Sequence, residues 1–374
     1  MRVPGPHVAI ALVLVAAGAR AESFRIPPYL SYSGGSALAL TWSPTEGRAS
    51  TTVQLFRGGA LATTVEAARD AGVLKALLPM TCGSGERLSY RVEGMDAPEE
   101  IAPLPCADED VVRFGFLTDT QTDYEMARRF AERVATSGGA FVLHGGDMVQ
   151  VGGSDEEWRR FLVAMAPFAA RRPLVVAPGN HEFWLDGKGE RLRRFFGVDD
   201  EAGDYLFSAG PVDVVVLSTS FVEERARRNR QLAWLRETLA GLRAKDPGRW
   251  LVVLFHHPPY SRGVAHSGLY WRKEHEVLQR YYVPAFEEHG VDLVLSGHTH
   301  LYERSEKAGV TYVVGGAAGG VMGWLGGKNP FSRLSLQVRT FSFLEASRAR
   351  LVLITEGLDG EEIDRVELQR SDRS

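Results

Sequence analysis

The 374-residue sequence has only two cysteines, Cys82 and Cys106, and neither belongs to a C-x-x-C pair. That excludes a thiolate zinc finger or ribbon and a dithiol redox motif. Long apolar runs are also missing. The one candidate, Val8 to Ala17, is ten residues long, against roughly 20 for a membrane-spanning helix. The net charge is −4 with no lysine and arginine stripe, so no nucleic-acid polymer is expected as a partner. The glycine-rich stretch Gly315 to Gly327 precedes no Gly-Lys-Ser or Gly-Lys-Thr and is not a phosphate-cradling P-loop. Nor does the chain offer a persuasive Ser-His-Asp or Cys-His arrangement for covalent catalysis.

What is present begins with an export pattern. Arg2, the apolar stretch Val8 to Ala17 and the small-residue site Ala19-Arg20-Ala21 have the order of a secretory signal. Residues 1–21 are therefore expected to be removed, the protein to be periplasmic or secreted, and no transmembrane segment to remain. In an oxidising compartment Cys82 and Cys106 are expected to pair, with two separate thiols as the alternative. Short β-rich segments at Ala37 to Trp42, Thr51 to Arg57, Val73 to Leu78 and Leu88 to Glu93 predict a small β-sandwich over residues 22–107. Met95 to Asp110, with three prolines and six acids, marks the boundary. Beyond it, over residues 108–374, apolar runs alternate with helix-like stretches, which predicts a layered α/β domain.

The chemistry stands where the apolar runs end. Asp119 follows Phe116-Leu117-Thr118, and Asp147 follows Val142-Leu143-His144-Gly145-Gly146. Asn180 and His181 follow Val175-Val176-Ala177-Pro178-Gly179. His256 follows Val252-Val253-Leu254-Phe255, and His298 and His300 follow Val294-Leu295-Ser296-Gly297. The carboxyl ends of strands are where α/β sheets bind ligands, so five strands are predicted to deliver these groups to one rim. Oxygen and imidazole donors without thiolate suit two ions of Fe, Mn or Zn sharing one aspartate.

These motifs, in this order over about residues 112–316, resemble those of the calcineurin-like metallophosphoesterases. Val253-Leu254-Phe255-His256-His257-Pro258-Pro259-Tyr260 and Gly297-His298-Thr299-His300-Leu301-Tyr302-Glu303-Arg304-Ser305 look like the purple acid phosphatase branch. The resemblance implies a fibronectin-III-like β-sandwich followed by a four-layer α/β/β/α catalytic domain. It implies one divalent or trivalent metal on Asp119, Asp147 and His300 and a second on Asp147, Asn180, His256 and His298, with Asp147 as the bridge. The metal pair would activate a water for attack on phosphorus, and His181 would face the phosphoryl group as a catalytic residue. The implied partner is a small phosphorylated substrate.

Two positions depart from the branch. Gln150 stands where purple acid phosphatases carry the tyrosine that binds ferric iron, and Gln121 stands where the wider superfamily has a D-x-H histidine. Gln121 and Gln150 are thus weak or supporting candidates. Glu182 is expected to orient its neighbours, and His257 to point away from the site in a supporting place. His144 is expected to be a core histidine. Tyr260, His266 and Trp271 are candidate substrate contacts. The leading function is phosphomonoester hydrolysis, the alternative is a diesterase or nucleotide pyrophosphatase on the same site, and a third reading is a catalytically weak binding protein.

Overall fold

The computed structural model describes residues 23–45, 50–80, 82, 87–107, 109–198, 203–263 and 272–370, so the predicted signal segment 1–21, His266 and Trp271 lie outside the described residues. Eight strands come first: β1 (Phe24–Tyr32), β2 (Ala37–Pro44), β3 (Thr52–Arg57), β4 (Ala60–Glu66), β5 (Ala68–Asp70), β6 (Val73–Pro79), β7 (Leu88–Val92) and β8 (Glu99–Ile101). The central unit then alternates. Strands β9 (Val111–Leu117), β10 (Phe141–His144) and β11 (Leu174–Val176) are separated by helices α1 (Tyr124–Thr136) and α2 (Asp155–Ala169). After α3 (Glu190–Phe196) come β12 (Tyr205–Ala209), β13 (Val212–Val216), α4 (Arg225–Lys245) and β14 (Trp250–Leu254). A helical run follows, made of α5 (Arg272–Val277), a π-helical turn (Leu278–Tyr282) and α6 (Val283–Glu288). The chain closes with β15 (Leu293–Ser296), β16 (Tyr302–Lys307), β17 (Val310–Gly315), β18 (Ser332–Leu336) and the ribbon β19 (Thr340–Ser347), β20 (Arg350–Gly357) and β21 (Glu362–Gln369).

Two large sheets face each other. One runs β21-β20-β19-β9-β10-β11-β1-β2-β6-β5 and the other β12-β13-β14-β15-β17-β16-β18. Period-two alternation on β14 sets the layers. Val252 and Leu254 join Phe116, Leu143 and Val175 in the core between the sheets. Leu251, Val253 and Phe255 join Leu235 and Leu239 of α4, Leu278 and Phe286 on the outer face. Helix α1 covers the first sheet: Tyr124, Ala127, Phe130, Ala131 and Val134 fall on one helical face and are buried. The result is the α/β/β/α stack.

The N-terminal strands differ from a free-standing sandwich. Strands β3, β4, β7 and β8 form their own four-stranded sheet, but β1, β2, β5 and β6 are continuous with the first large sheet. The link is β1, which pairs in parallel with β11 through Ser31–Leu174 and Tyr32–Val175. No texture change in sequence marks this, because pairing across a domain boundary leaves no local pattern. The sandwich is therefore two-layered, with one layer shared.

Cys82 and Cys106 are disulfide-bonded, with Cα atoms 4.8 Å apart and a sequence separation of 24. Cross-linking a loop of that length is worth about 3 kcal/mol against the unfolded chain. Replacing both with serine is expected to lower unfolding free energy by about 2–4 kcal/mol in denaturant titrations run without reductant.

Candidate metal centre

The rim above β9, β10, β11, β14 and β15 collects Asp119, Asp147, Asn180, His256, His298 and His300, and all but Asn180 are buried. Buried donor atoms from Asp119, Asp147 and His256 lie within 4.8 Å of one another, as do those of His256, His257 and His298. The turns that place them are unusual. Asp119, Asp147, His298 and His300 have φ of 54°, 55°, 71° and 52°, a left-handed region that side chains with a Cβ rarely occupy. Close approach does the rest: a Cβ on Gly179 would overlap the Asp147 carboxylate, and one on Gly297 would overlap the Thr118 hydroxyl.

Asp147 is central. Its Oδ1 accepts the His181 N–H at 2.9 Å. Its Oδ2 stands 3.1 Å from His256 Nε2 and 3.4 Å from Gln121 Nε2. Asp119 Oδ1 lies 3.4 Å from His300 Nε2, and both its oxygens accept the His298 N–H, at 3.0 and 3.1 Å. Asn180 Oδ1 stands 3.1 Å from His298 Nδ1, which is 3.2 Å from His256 Nε2.

Backbone carbonyls, which only accept, orient three imidazoles. His256 Nδ1 donates to Gly145 O at 2.8 Å, His300 Nδ1 to Val321 O at 2.5 Å and His181 Nδ1 to Gln150 O at 2.7 Å. In each, Nε2 is left as the nitrogen that faces the site. Burial lowers the basicity of His256, but the Asp147 and Asp119 carboxylates outweigh it and push its pKa up to about 9. His300 is raised in the same way, burial being overcome by Asp119. For Asp147, burial is overcome by His256, which holds the carboxyl well below its ordinary value.

The donor set fits cations. Carboxylate, amide oxygen and imidazole converge, and Gln121, 1% exposed, has a buried Oε1 without a hydrogen-bond partner among the described residues. Its amide lies 3.1 Å from His300 Nε2. Gln150 enters through its backbone carbonyl on His181.

Glu182 organises the loops. It is fully buried and accepts N–H groups from Asp147 at 2.9 Å, Met148 at 2.7 Å and Gly179 at 2.7 Å. Burial, followed by the Asp147 charge, pushes its carboxyl up to about 7. His144 is buried too: Nδ1 accepts Gly146 N–H at 3.2 Å, so Nε2 donates to Thr120 at 3.1 Å, and burial lowers its pKa to about 3.

Two expectations need correction. His257 does not point away: its ring centroid is 4.4 Å from that of His298, with Nδ1 2.9 Å from Thr219 Oγ1. The strand has already ended at Leu254, so alternation no longer governs position 257. Tyr260 is not at the rim. It packs on Tyr312 and Phe331, centroids 5.1 and 5.0 Å away, in the outer core of the second sheet. Sequence reasoning missed His275, whose ring lies 6.3 Å from His298; nothing local to its helix signals this.

Comparison with known proteins places the chain. The family model described as calcineurin-like phosphoesterase matches residues 112–302. The chain belongs to that family. It is 31% identical over 180 residues to purple acid phosphatase 15 of Arabidopsis thaliana, covering 43% of this chain and 32% of that protein. It is 29% identical over 163 residues to Fe(3+)-Zn(2+) purple acid phosphatase 12 of the same plant, covering 41% and 33%. The chain thus spans about a third of the length of curated relatives it matches. The structure of purple acid phosphatase PPD1 from yellow lupin seeds superposes with a TM-score of 0.75 at 18% identity, covering 92% of this chain and 74% of that one, which establishes the shared fold.

Glu182→Gln keeps the shape but turns one acceptor into a donor facing backbone N–H groups. It is expected to cost about 1–3 kcal/mol of stability in metal-free protein, read by denaturant unfolding.

Proposed function

We propose that this phosphoesterase hydrolyses phosphate monoesters at a centre for two metal ions. Asp119, Asp147 and His300 would hold one ion, with Gln121 beside them, and Asp147, Asn180, His256 and His298 the other. The observation that carries this reading is the Asp147 carboxylate, buried between the two donor groups, with Oδ2 3.1 Å from His256 Nε2 and 3.4 Å from the Gln121 amide. Bound, the two ions supply positive charge that activates a water for in-line attack and neutralises the phosphoryl oxygens. With Gln121 and Gln150 neutral, only Asp119 and Asp147 bring negative charge, which favours a divalent pair over a ferric one.

The chain's own residues do the positioning. His181 is fixed through Nδ1, and its Nε2 stands 3.9 Å from Asp147 Oδ2, free to give a proton to the leaving oxygen. Glu182 and the Asp147 backbone keep the two loops in register. The names of the relatives, acid phosphatases, favour monoesters over diesters. The Cys82–Cys106 disulfide fits an exported protein in an oxidising compartment. Among the described residues no helix is long and apolar enough to cross a membrane.

Purified protein is expected to carry two metal ions per chain and to prefer an aryl phosphate monoester over a bis-aryl diester. Asp147→Asn is expected to lose both metal, by elemental analysis, and turnover. Less than one ion per chain with no turnover after Mn, Zn or Fe is supplied would leave a binding role, and a preference for the diester would select the diesterase.

His181→Ala is expected to lower kcat by about 10²–10⁴. The loss should be larger for an alkyl phosphate than for nitrophenyl phosphate, because a good leaving group needs no proton. Equal losses on both esters would remove the acid role from His181.

A further inference from the structure

Half of the ten large hydrophobic side chains exposed among the described residues, Trp184, Leu185, Val321, Trp324 and Leu325, lie on two loops, and both loops are tied to candidate site residues. The fold does not lack interior places for tryptophan, since Trp42, Trp158 and Trp250 are buried almost completely. Yet Trp184 is 50% and Trp324 68% exposed. An apolar rim around a polar, charged floor is the composition of a binding site rather than of ordinary surface.

Trp184 is held in place. Its N–H donates to His181 O at 3.1 Å, and its carbonyl accepts Gly153 N–H at 3.0 Å. Gly152 is fixed in turn by the buried Trp158, whose indole N–H donates to its carbonyl at 2.8 Å. The next residue, Leu185, sits at φ 57°, a conformation a bulky side chain adopts only when its surroundings impose it. The Trp184 ring meets His181 edge to face, centroids 5.5 Å apart at 71°. The second loop is anchored as firmly: Gly323 N–H donates to His300 O at 2.8 Å, while Val321 O holds His300 Nδ1.

We infer that the site takes phosphate esters whose leaving group carries a flat ring, which packs on Trp184 with Trp324 on the second loop. The inference rests on the phosphatase reading above. In that reaction His181 meets the leaving oxygen, so whatever is attached to that oxygen extends past the imidazole toward the indole. Tryptophan offers a large rigid face at small entropic cost and stacks on rings of any substitution. Trp184 is a specificity residue, beside the chemistry and outside the metal donors.

The test compares kcat/KM of metal-loaded protein for ethyl phosphate, 2-naphthylmethyl phosphate and adenosine 5′-monophosphate, all esters of primary alcohols. The wild type, Trp184→Ala, Trp184→Phe and Trp324→Ala are measured. Both ring esters are expected to exceed ethyl phosphate. Trp184→Ala should shrink the ring-to-ethyl ratio about tenfold, through KM, and Trp184→Phe should restore part of it. A ratio that falls for both ring esters supports a general ring site, and one that falls for the nucleotide alone supports a nucleoside leaving group. An unchanged ratio in both alanine variants overturns the inference, whatever happens to the overall rate. So does a preference for phosphatidic acid in vesicles, with co-sedimentation lost in Trp184→Ala, which would make the rim a lipid contact. If the wild type hydrolyses no ester, the phosphatase reading fails by itself. Ring binding then remains readable as quenching of tryptophan fluorescence by 2-naphthylmethyl phosphate, and its persistence in Trp184→Ala at wild-type affinity would sink the inference.

Discussion

Two buried carboxylates share one short stretch of backbone, and the site depends on how their repulsion is met. Asp147 presents its side chain to the donors while its own N–H is held by Glu182. Glu182 is pushed up to about 7 by burial first and by the Asp147 charge second. What keeps Glu182 in place is a set of backbone N–H groups from Met148 and Gly179 as well as Asp147. Those three donors come from the loops after β10 and β11, so one side chain sets the distance between two groups of candidate ligands. Cations placed between the donors would relieve the same repulsion from the opposite side.

Preorganisation in this site is therefore carried by the main chain. Left-handed backbone at Asp119, Asp147, His298 and His300 turns each side chain back over its own strand end. Carbonyls of Gly145, Gln150 and Val321 decide which imidazole nitrogen faces inward. Such strain costs of order 1–3 kcal/mol per residue and persists only where the surrounding bonds over-determine it. Here they do: Asp119 O takes N–H groups from Gly319 and Gly320, and Asp147 O takes those of Thr120 and Gln121. The donor geometry is set by the main chain, as chemistry with low reorganisation requires.

Much of this was legible because strand ends announce themselves. Apolar runs that stop at Gly-Asp, Gly-Asn-His or Gly-His-x-His located β9, β10, β11, β14 and β15 within a residue or two, and with them the candidate ligands. Helix α1 falls among the helix-like stretches between apolar runs, its buried residues recurring at the 3.6-residue helical period. What stayed hidden depends on partners distant in sequence. The parallel pairing of β1 with β11, the side on which His257 falls after its strand has ended, and the packing of Tyr260 on Tyr312 and Phe331 have no local signature. The exposure of Trp184 and Trp324 is equally invisible, because a tryptophan in a glycine-bearing loop reads the same whether it is covered or bare.

The shared sheet gives the N-terminal strands a role in the site without contact to it. Strand β11 is three residues long, and without β1 it would be the edge of the first sheet. A short unpaired edge frays, and this edge leads into Asn180, His181 and Glu182. Strand β1 closes it, β2 and β6 extend the sheet further, and Tyr29 reaches across to donate to Phe195 O at 2.7 Å, next to the end of α3. Tyr205 adds a clamp from the other sheet, exchanging bonds with Val176 N–H at 3.0 Å and Val176 O at 2.8 Å. The last residue of β11 is thus held from two directions, four residues before Asn180. A cut between residues 107 and 108 would separate no independent catalytic unit, because it would expose the strand that leads into Asn180 and the proposed proton donor His181.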